Sequence, residues 1–399
     1  MTVRRWFLAE AELPLETAVL VVVGMTALIA GTLLLPATAG LTPYYESGLH
    51  GLVLFIFALQ TMLMGKTPFG ELPASRGLLA VGLLIASAGI VTCVIPSVPD
   101  GAVRIALFIC LTPGGMLLMA QMILSPQRFR LWVRTGGVLK HLPYSCAAVY
   151  LLSMVIGALL YADQSASVHY LTAFMLMLQG GAVIHLARLL ASVYRAYPQP
   201  EEGSGLPFDK GMLLLMGVFL VLLGALLVPV NLGILPFSPS AQLGLLMVVN
   251  SVQMLAAGST PIGPFPRSRA MLLLGLLFAG AGIVSCVVPD VLVPTLTILI
   301  GALNVINGLM TLLKALPSLS ATRKSPPPEP VGRVLLRLFG TQAVMGCVSI
   351  LFGASMLLPG IIPGLVISVV LIANGGVLIY LLRVLFLVDD IKRLAGEKP

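Results

Sequence analysis

Few side chains in this sequence have a type and spacing that could do chemistry. The chain has four histidines and five cysteines, but no two histidines stand at the spacing of metal ligands on one helix. It has no His-Glu-x-x-His, Cys-x-x-Cys or Gly-x-Ser-x-Gly motif. The cysteines all lie in or at the ends of apolar segments, which favours reduced packing residues. We therefore predict no catalytic centre, no metal and no other cofactor, and hence no enzyme.

One fragment, Gly65-Lys66-Thr67, resembles the end of a phosphate-binding loop. It lacks the leading glycine of that motif, because Gln60 stands there, and it follows an apolar helix instead of a strand. We expect no nucleotide at this position.

Polar amides are more informative, because they fall inside apolar segments. They are Gln60, Gln179, Gln253, Asn250, Asn304, Asn307 and Asn374. One interpretation is hydrogen bonding between helices, and the other is a polar cavity that binds a small solute or a lipid. No Asp or Glu lies near the middle of an apolar segment, which argues against a proton-coupled transporter.

The elements that must position these residues are membrane helices. Hydrophobic residues make up 58% of the chain and charged residues 10%, and the mean hydropathy is +1.05. A bilayer asks for about 20 apolar residues per helix. We predict an all-α, polytopic membrane protein whose twelve spans are 17–36, 47–65, 77–96, 102–124, 143–161, 168–190, 211–229, 241–257, 270–289, 291–314, 337–358 and 361–387.

The chain also repeats itself. The segment 77–96 returns at 270–289 with twelve of twenty residues identical, and the offset of 193 residues holds from the first span to the start of the fourth. We predict two tandem six-helix repeats built from helical hairpins, 1–200 and 201–399.

Glycines mark one face of most odd-numbered spans. Two glycines seven residues apart lie on the same side of a helix, and small residues let membrane helices pack closely. We predict helix packing at Gly24, Gly31, Gly82, Gly89, Gly217, Gly224, Gly275, Gly282, Gly346 and Gly353.

Basic residues indicate the orientation. Twelve spans put 22 of the 23 Lys and Arg residues on one side of the membrane, and that side is expected to be cytoplasmic. We predict a protein of the cytoplasmic (inner) membrane with both termini in the cytoplasm. The net charge of +8 is then a signal of topology and not of nucleic-acid binding.

The opposite side has few ionisable residues, namely Glu46, His50, Asp100, Arg104, Asp163, His169 and Asp290. Acidification would protonate its histidines and carboxylates. It is either an ordinary solvated face or a pH-responsive surface, in which His50 and His169 would be the leading residues.

The segments SRGLLAVGLLIASAGIVTCVIP and SRAMLLLGLLFAGAGIVSCVVP carry Gly-x6-Gly patterns that end in proline. Together with the small-residue motif of the return helix, they resemble the HdeD-like acid-resistance membrane proteins. In that family about six helices form one protein, so this chain would be two fused copies. The resemblance implies a non-enzymatic response to acid stress and supplies no catalytic residues.

Three functions therefore stay open. The first is a stress-response protein, the second a scaffold subunit of a larger membrane complex, and the third a small-solute transporter. The expected partners are membrane lipid and either other proteins or a second copy of the chain.

Overall fold

The computed structural model describes residues 13–71, 75–96, 98, 100–124, 137–162, 165–197, 208–260, 263–264, 267–324, 331–358, 360 and 362–394. These residues form twelve helices that are long and apolar enough to cross a membrane. The predicted all-α polytopic fold is confirmed, whereas the repeat stays a prediction. Residues 125–136 and 198–207, which fall between predicted spans, lie outside the described residues.

The helices follow the predicted spans in order. They are α1 (Leu15–Thr38), α2 (Glu46–Met64), α3 (Arg76–Val94), α4 (Asp100–Leu124), α5 (Leu142–Tyr161), α6 (Ala166–Ala196), α7 (Phe208–Asn231), α8 (Pro239–Ala257), α9 (Arg269–Val287), α10 (Val293–Lys324), α11 (Val331–Leu357) and α12 (Gly364–Leu394). A 3-10 helix (Gly137–His141) precedes α5.

The three longest helices extend beyond their predicted spans. α6, α10 and α12 contain 31, 32 and 31 residues, which is about 46 to 48 Å at 1.5 Å per residue. The bilayer core is only about 30 Å thick. These helices therefore continue beyond the bilayer core into polar sequence, where the hydropathy of the sequence no longer indicates a helix.

Short turns connect α2 to α3 and α8 to α9. Gly65 and Gly258 end α2 and α8 in the left-handed conformation, with φ of 66° and 67°, which favours glycine. Two short two-stranded sheets follow. In the first, β1 (Lys66–Thr67) pairs antiparallel with β2 (Gly70–Glu71), and in the second, β3 (Ser259–Thr260) pairs with β4 (Gly263–Pro264). The Gly-Lys-Thr fragment is thus a helix end followed by the short strand β1.

Serine caps begin the helices after these turns. The Ser75 hydroxyl accepts a hydrogen bond from the Leu78 N–H at 3.1 Å, and the Ser268 hydroxyl accepts one from the Met271 N–H at 3.3 Å. Each cap satisfies a backbone donor that the first turn of a helix leaves free.

Contacts divide the chain into two compact units. The first comprises Met1–Pro207, Phe237–Thr260 and Pro264–Val293, and the second comprises Phe208–Pro236, Pro261–Gly263 and Pro294–Pro399. The first unit therefore contains α1 to α6, α8 and α9, while the second contains α7 and α10 to α12.

In the first unit, α1 packs on α6, α2 on α3, α4 on α5 and α8 on α9. Glycines lie where backbones come closest. A Cβ atom added at Gly31 would be 2.7 Å from the Ala173 carbonyl oxygen, and one at Gly89 would be 2.7 Å from the Phe55 nitrogen. Only a residue without a Cβ fits such an approach.

In the second unit, α7 packs on α12 and α11 on α12. A Cβ atom added at Gly224 would be 2.6 Å from the Ser368 carbonyl oxygen of α12, and one at Gly346 would be 3.0 Å from the Gly308 carbonyl oxygen of α10. All ten glycines named for helix packing lie against a neighbouring helix, and at Gly82 and Gly275 the nearest atoms are those of side chains.

Candidate functional site

A cavity of about 1320 Å³ lies within the first unit. Its walls come mainly from α1, α2, α4, α5 and α6. Along α2 they extend from Leu49 to Met64, about 22 Å at 1.5 Å per residue, which is most of the thickness of a bilayer core. Most of the lining side chains are apolar, and the polar ones discussed below lie at the two ends of the cavity and between them. We call its two ends the Glu16 end and the His50 end.

The Glu16 end contains a charged cluster. The Lys66 ammonium lies 2.8 Å from the Glu16 carboxylate, and the Tyr194 hydroxyl donates a hydrogen bond to the same carboxylate at 2.5 Å. Glu16 stands in the first turn of α1, Lys66 follows the left-handed end of α2, and Tyr194 lies near the end of α6. Three elements distant in sequence thus converge on one carboxylate.

An amide lies between the two ends. The Gln179 side-chain NH2 donates a hydrogen bond to the Ser153 hydroxyl at 2.8 Å, joining α6 to α5. The Gln179 side-chain carbonyl oxygen is buried and has no hydrogen-bond partner among the described residues. Gln60 of α2 lines the same cavity. A buried acceptor without a partner is costly, and a bound molecule with a donor would relieve that cost.

At the other end, His50 lines the cavity and is only 3% exposed. The sequence suggested a solvated outer face for this residue, but α2 is among the most buried helices of the chain. One turn before His50, the Glu46 carboxylate pairs with the Arg104 guanidinium at 2.7 Å.

His169 is half-buried in the first turn of α6, and it is not among the residues that line the cavity. Asp163 lies outside the described residues, as does the side chain of Asp100. The structure therefore places His50 on the cavity wall and His169 away from that wall, and a pH-responsive surface formed by the two stays a prediction.

This cavity is not lined by the other predicted amides, which are Asn250, Gln253, Asn304, Asn307 and Asn374. The Asn374 side-chain carbonyl oxygen on α12 is buried without a hydrogen-bond partner in the described part of the chain. Asn304 lies close to Asn307 in sequence, and its main-chain carbonyl oxygen accepts a hydrogen bond from the Ser349 hydroxyl at 3.0 Å. Hydrogen bonding between helices accounts for this last pair.

Sequence reasoning missed Glu16, Lys66, Ser153 and Tyr194. Lys66 was noticed only in the phosphate-loop fragment, and no sequence signal pairs it with Glu16, 50 positions earlier. A second cavity of about 260 Å³ is lined by His141 and His185, among others. No group of three or more His, Cys, Asp or Glu residues that could hold a metal occurs among the described residues.

The chain matches no protein-family model, no curated protein and no solved structure. The polar groups of the cavity include a charged cluster, amides, a serine and a histidine, set in apolar walls. Such a set can orient a bound molecule by hydrogen bonds while the walls bury the apolar part.

Proposed function

We propose that this integral membrane protein is not an enzyme and that it binds a small amphipathic molecule inside its first six helices. The observation that carries the proposal is the cavity of about 1320 Å³. Ligand sites are typically concave and apolar, with a few well-placed polar groups that fix the orientation of the ligand.

The chemistry of the walls favours an amphiphile with a long apolar part. The lining is apolar over much of its length, whereas the charged cluster is confined to the Glu16 end. A single-chain lipid matches this division, because its chain would lie along α2 and its head group would reach Lys66 or the Gln179 carbonyl. Membrane lipid was also the partner expected from the sequence.

A dansyl-labelled monoacylglycerol, whose hydroxyl groups can donate to the Gln179 carbonyl oxygen, tests the binding. We expect its fluorescence to rise saturably with purified wild-type protein, and Gln179→Leu to weaken binding about fivefold, the loss of one hydrogen bond. Gln60→Leu should weaken binding as well. Its counterpart Gln253→Leu is the matched control, because Gln253 does not line the cavity. No saturable signal, or equal losses at Gln60 and Gln253, would contradict the proposal.

The location is proposed on the distribution of charge. The 22-to-1 division of basic residues favours the cytoplasmic membrane with both termini inside. The Glu16 end of the cavity would then face the cytoplasm and the His50 end the outside.

A role in acid stress is the second candidate, implied by the HdeD-like resemblance. One observation favours it, namely that His50 is an ionisable residue on a buried helix and on the cavity wall. Ionisable groups within membrane spans are costly and usually functional. Protonation of His50 would place a charge at one end of the cavity and so link ligand binding to external pH.

Cell survival after an acid challenge tests this role. Deletion should lower survival, and His50→Gln should reproduce that loss at equal abundance, whereas His169→Gln should not. Unchanged survival after deletion would rule out the acid-stress role. If deletion lowers survival but His50→Gln does not, the sensing residue lies elsewhere.

Transport and scaffolding are the other functions left open by the sequence. A transporter would exchange labelled ligand across liposomes that contain the protein, whereas a binding protein would not. A scaffold subunit, or a homo-oligomer, would retain its protein partners during purification in mild detergent.

A further inference from the structure

The charged cluster at the Glu16 end of the cavity is balanced in charge. Among the described residues that line the cavity, Glu16 is the acid and Lys66 is the base, and no other Asp, Glu, Lys or Arg side chain joins them. The Lys66 ammonium lies 2.8 Å from the Glu16 carboxylate. This end of the cavity therefore carries one positive and one negative charge side by side.

Both charged groups keep hydrogen-bonding capacity for a ligand. The Lys66 ammonium has three N–H donors, and its contact is with Oε2 of Glu16. The Tyr194 hydroxyl donates to the same oxygen, whereas Oε1 of Glu16 accepts no hydrogen bond from the part of the chain that the structure describes. A ligand can therefore find both donors and an acceptor at this end of the cavity.

Water still reaches this ion pair. The side chains of Lys66 and Glu16 are 35% and 26% exposed, and an ion pair in contact with water contributes little to stability. A polar head group can therefore join the pair, or displace part of it, at little cost. The same exchange would be expensive for a pair fully enclosed by the protein.

The balance of charge selects among head groups. A head group with a single negative charge would be attracted by Lys66 and repelled by Glu16 from almost the same distance, so that the two Coulomb energies nearly cancel. A head group with a single positive charge meets the reverse situation. A zwitterion that lies antiparallel to the pair has its anion beside Lys66 and its cation beside Glu16, and both interactions are then attractive.

We propose that the cavity selects single-chain phospholipids with a zwitterionic head group, in which Lys66 contacts the phosphate and Glu16 contacts the ammonium. This inference rests on the proposed binding of an amphipathic molecule in the cavity, and it names the chemical class of that molecule. Tyr194 and Tyr197 line the same cavity near the end of α6, and aromatic rings add an attraction for ammonium groups.

Displacement of the dansyl-labelled monoacylglycerol from the purified full-length protein tests the head group. The two competitors are lysophosphatidylethanolamine and lysophosphatidylglycerol with the same acyl chain, because both carry a phosphate and only the first carries an ammonium. We expect the ethanolamine lipid to bind about threefold to fivefold more tightly. Glycerophosphoethanolamine, which has the head group without the chain, should displace no probe at the same concentrations. If it competes equally well, the assignment to a lipid is wrong.

Three variants separate the roles of the two charges. Glu16→Gln should remove the preference for the ethanolamine lipid, because no carboxylate then attracts the ammonium. Lys66→Gln should weaken the binding of both lipids, while the ethanolamine lipid remains the tighter of the two. Glu46→Gln is the matched control, since it also breaks an ion pair but at a residue that does not line the cavity, and it should leave the preference unchanged.

Failure of this inference is distinguishable from failure of binding in the cavity. The probe is uncharged at its head group, so we expect all three variants to bind it like the wild type. If the wild type binds the probe saturably but the two lipids compete equally, or if Glu16→Gln keeps the preference, the head-group assignment is wrong while the cavity remains a binding site. If the probe shows no saturable binding to the wild type, both proposals are wrong.

Discussion

The close approach of α2 and α3 at Gly89 gives a sharp test of how the first unit is held together. We choose Gly89→Ala, which adds a single carbon. That carbon would lie 2.7 Å from the Phe55 nitrogen, 2.8 Å from the Gly51 carbonyl oxygen and 3.1 Å from the Phe55 Cα. All three atoms belong to the backbone of α2, so no side-chain rotation can relieve the contact.

The size of the effect follows from these distances. Ordinary contacts of a Cβ atom begin at about 3.4 Å, and the shortest contact falls 0.7 Å below that value. α2 and α3 would have to separate by about this amount, and a gap of 0.5–1 Å forfeits a quarter to a half of the dispersion energy of each atom pair that it opens. Inserting one carbon into a tight core costs typically 1–3 kcal/mol. We expect about 2 kcal/mol, or a fall in melting temperature of roughly 4–8 °C.

The assay is thermal unfolding of the purified protein in detergent, with Gly181→Ala as the matched control. Gly181 is a glycine of α6, also a membrane helix, and a Cβ added there meets nothing within 4 Å, so its melting temperature should stay within about 2 °C of wild type. Gly282→Ala should behave like Gly89→Ala, because its Cβ would lie 2.6 Å from the Gly244 carbonyl oxygen. If the melting temperature of Gly89→Ala equals that of Gly181→Ala, the close packing of α2 on α3 is refuted.

Three further predictions test orientation and hydrogen bonding. An enzyme reporter fused after Lys140 should be active only as a cytoplasmic reporter, and activity as an exported reporter would reverse the proposed orientation. Ser285→Ala should lower the melting temperature by about 2–4 °C. It removes a buried hydrogen bond of 2.7 Å to the Ser240 carbonyl oxygen, which contributes about 1 kcal/mol. An unchanged melting temperature would show that this hydrogen bond contributes nothing to stability. Tyr194→Phe removes a hydrogen bond to the partly exposed Glu16, so the free energy of unfolding should fall by less than about 1 kcal/mol. A larger fall would mean that Glu16 is shielded from water.

The sequence was sufficient to predict the twelve helices, because each span leaves a strong apolar signal that depends on no other span. It was not sufficient to say which helices meet. The glycine pattern of α1 identifies a packing face, yet nothing in the pattern names α6 as the neighbour. The partner is decided by the fold of the whole unit, and a face on one helix carries no information about it.

The candidate site was foreseen only in part, for the same reason. Gln60 and Gln179 stand out because an amide inside an apolar span needs an explanation. Glu16 and Lys66 do not stand out, because charged residues at helix ends are expected in any membrane protein. Only the structure shows that they share one end of a cavity.

The placement of polar residues follows from what each helix faces. α8 is the least apolar of the twelve described spans and also the most buried, with 89% of its central stretch inside the protein, and α2 follows with 72% buried. A helix that faces lipid must be apolar, since hydrocarbon offers no hydrogen bonds, whereas a helix enclosed by others can hold polar groups that meet partners or a cavity. Low hydropathy alone does not identify an enclosed span, because α6 and α11 have a mean hydropathy of 1.5 and are only 28% buried. His50 and Gln60 lie on α2, which is enclosed in this way and lines the cavity. For this reason α2 is the helix on which substitutions should separate ligand binding from folding.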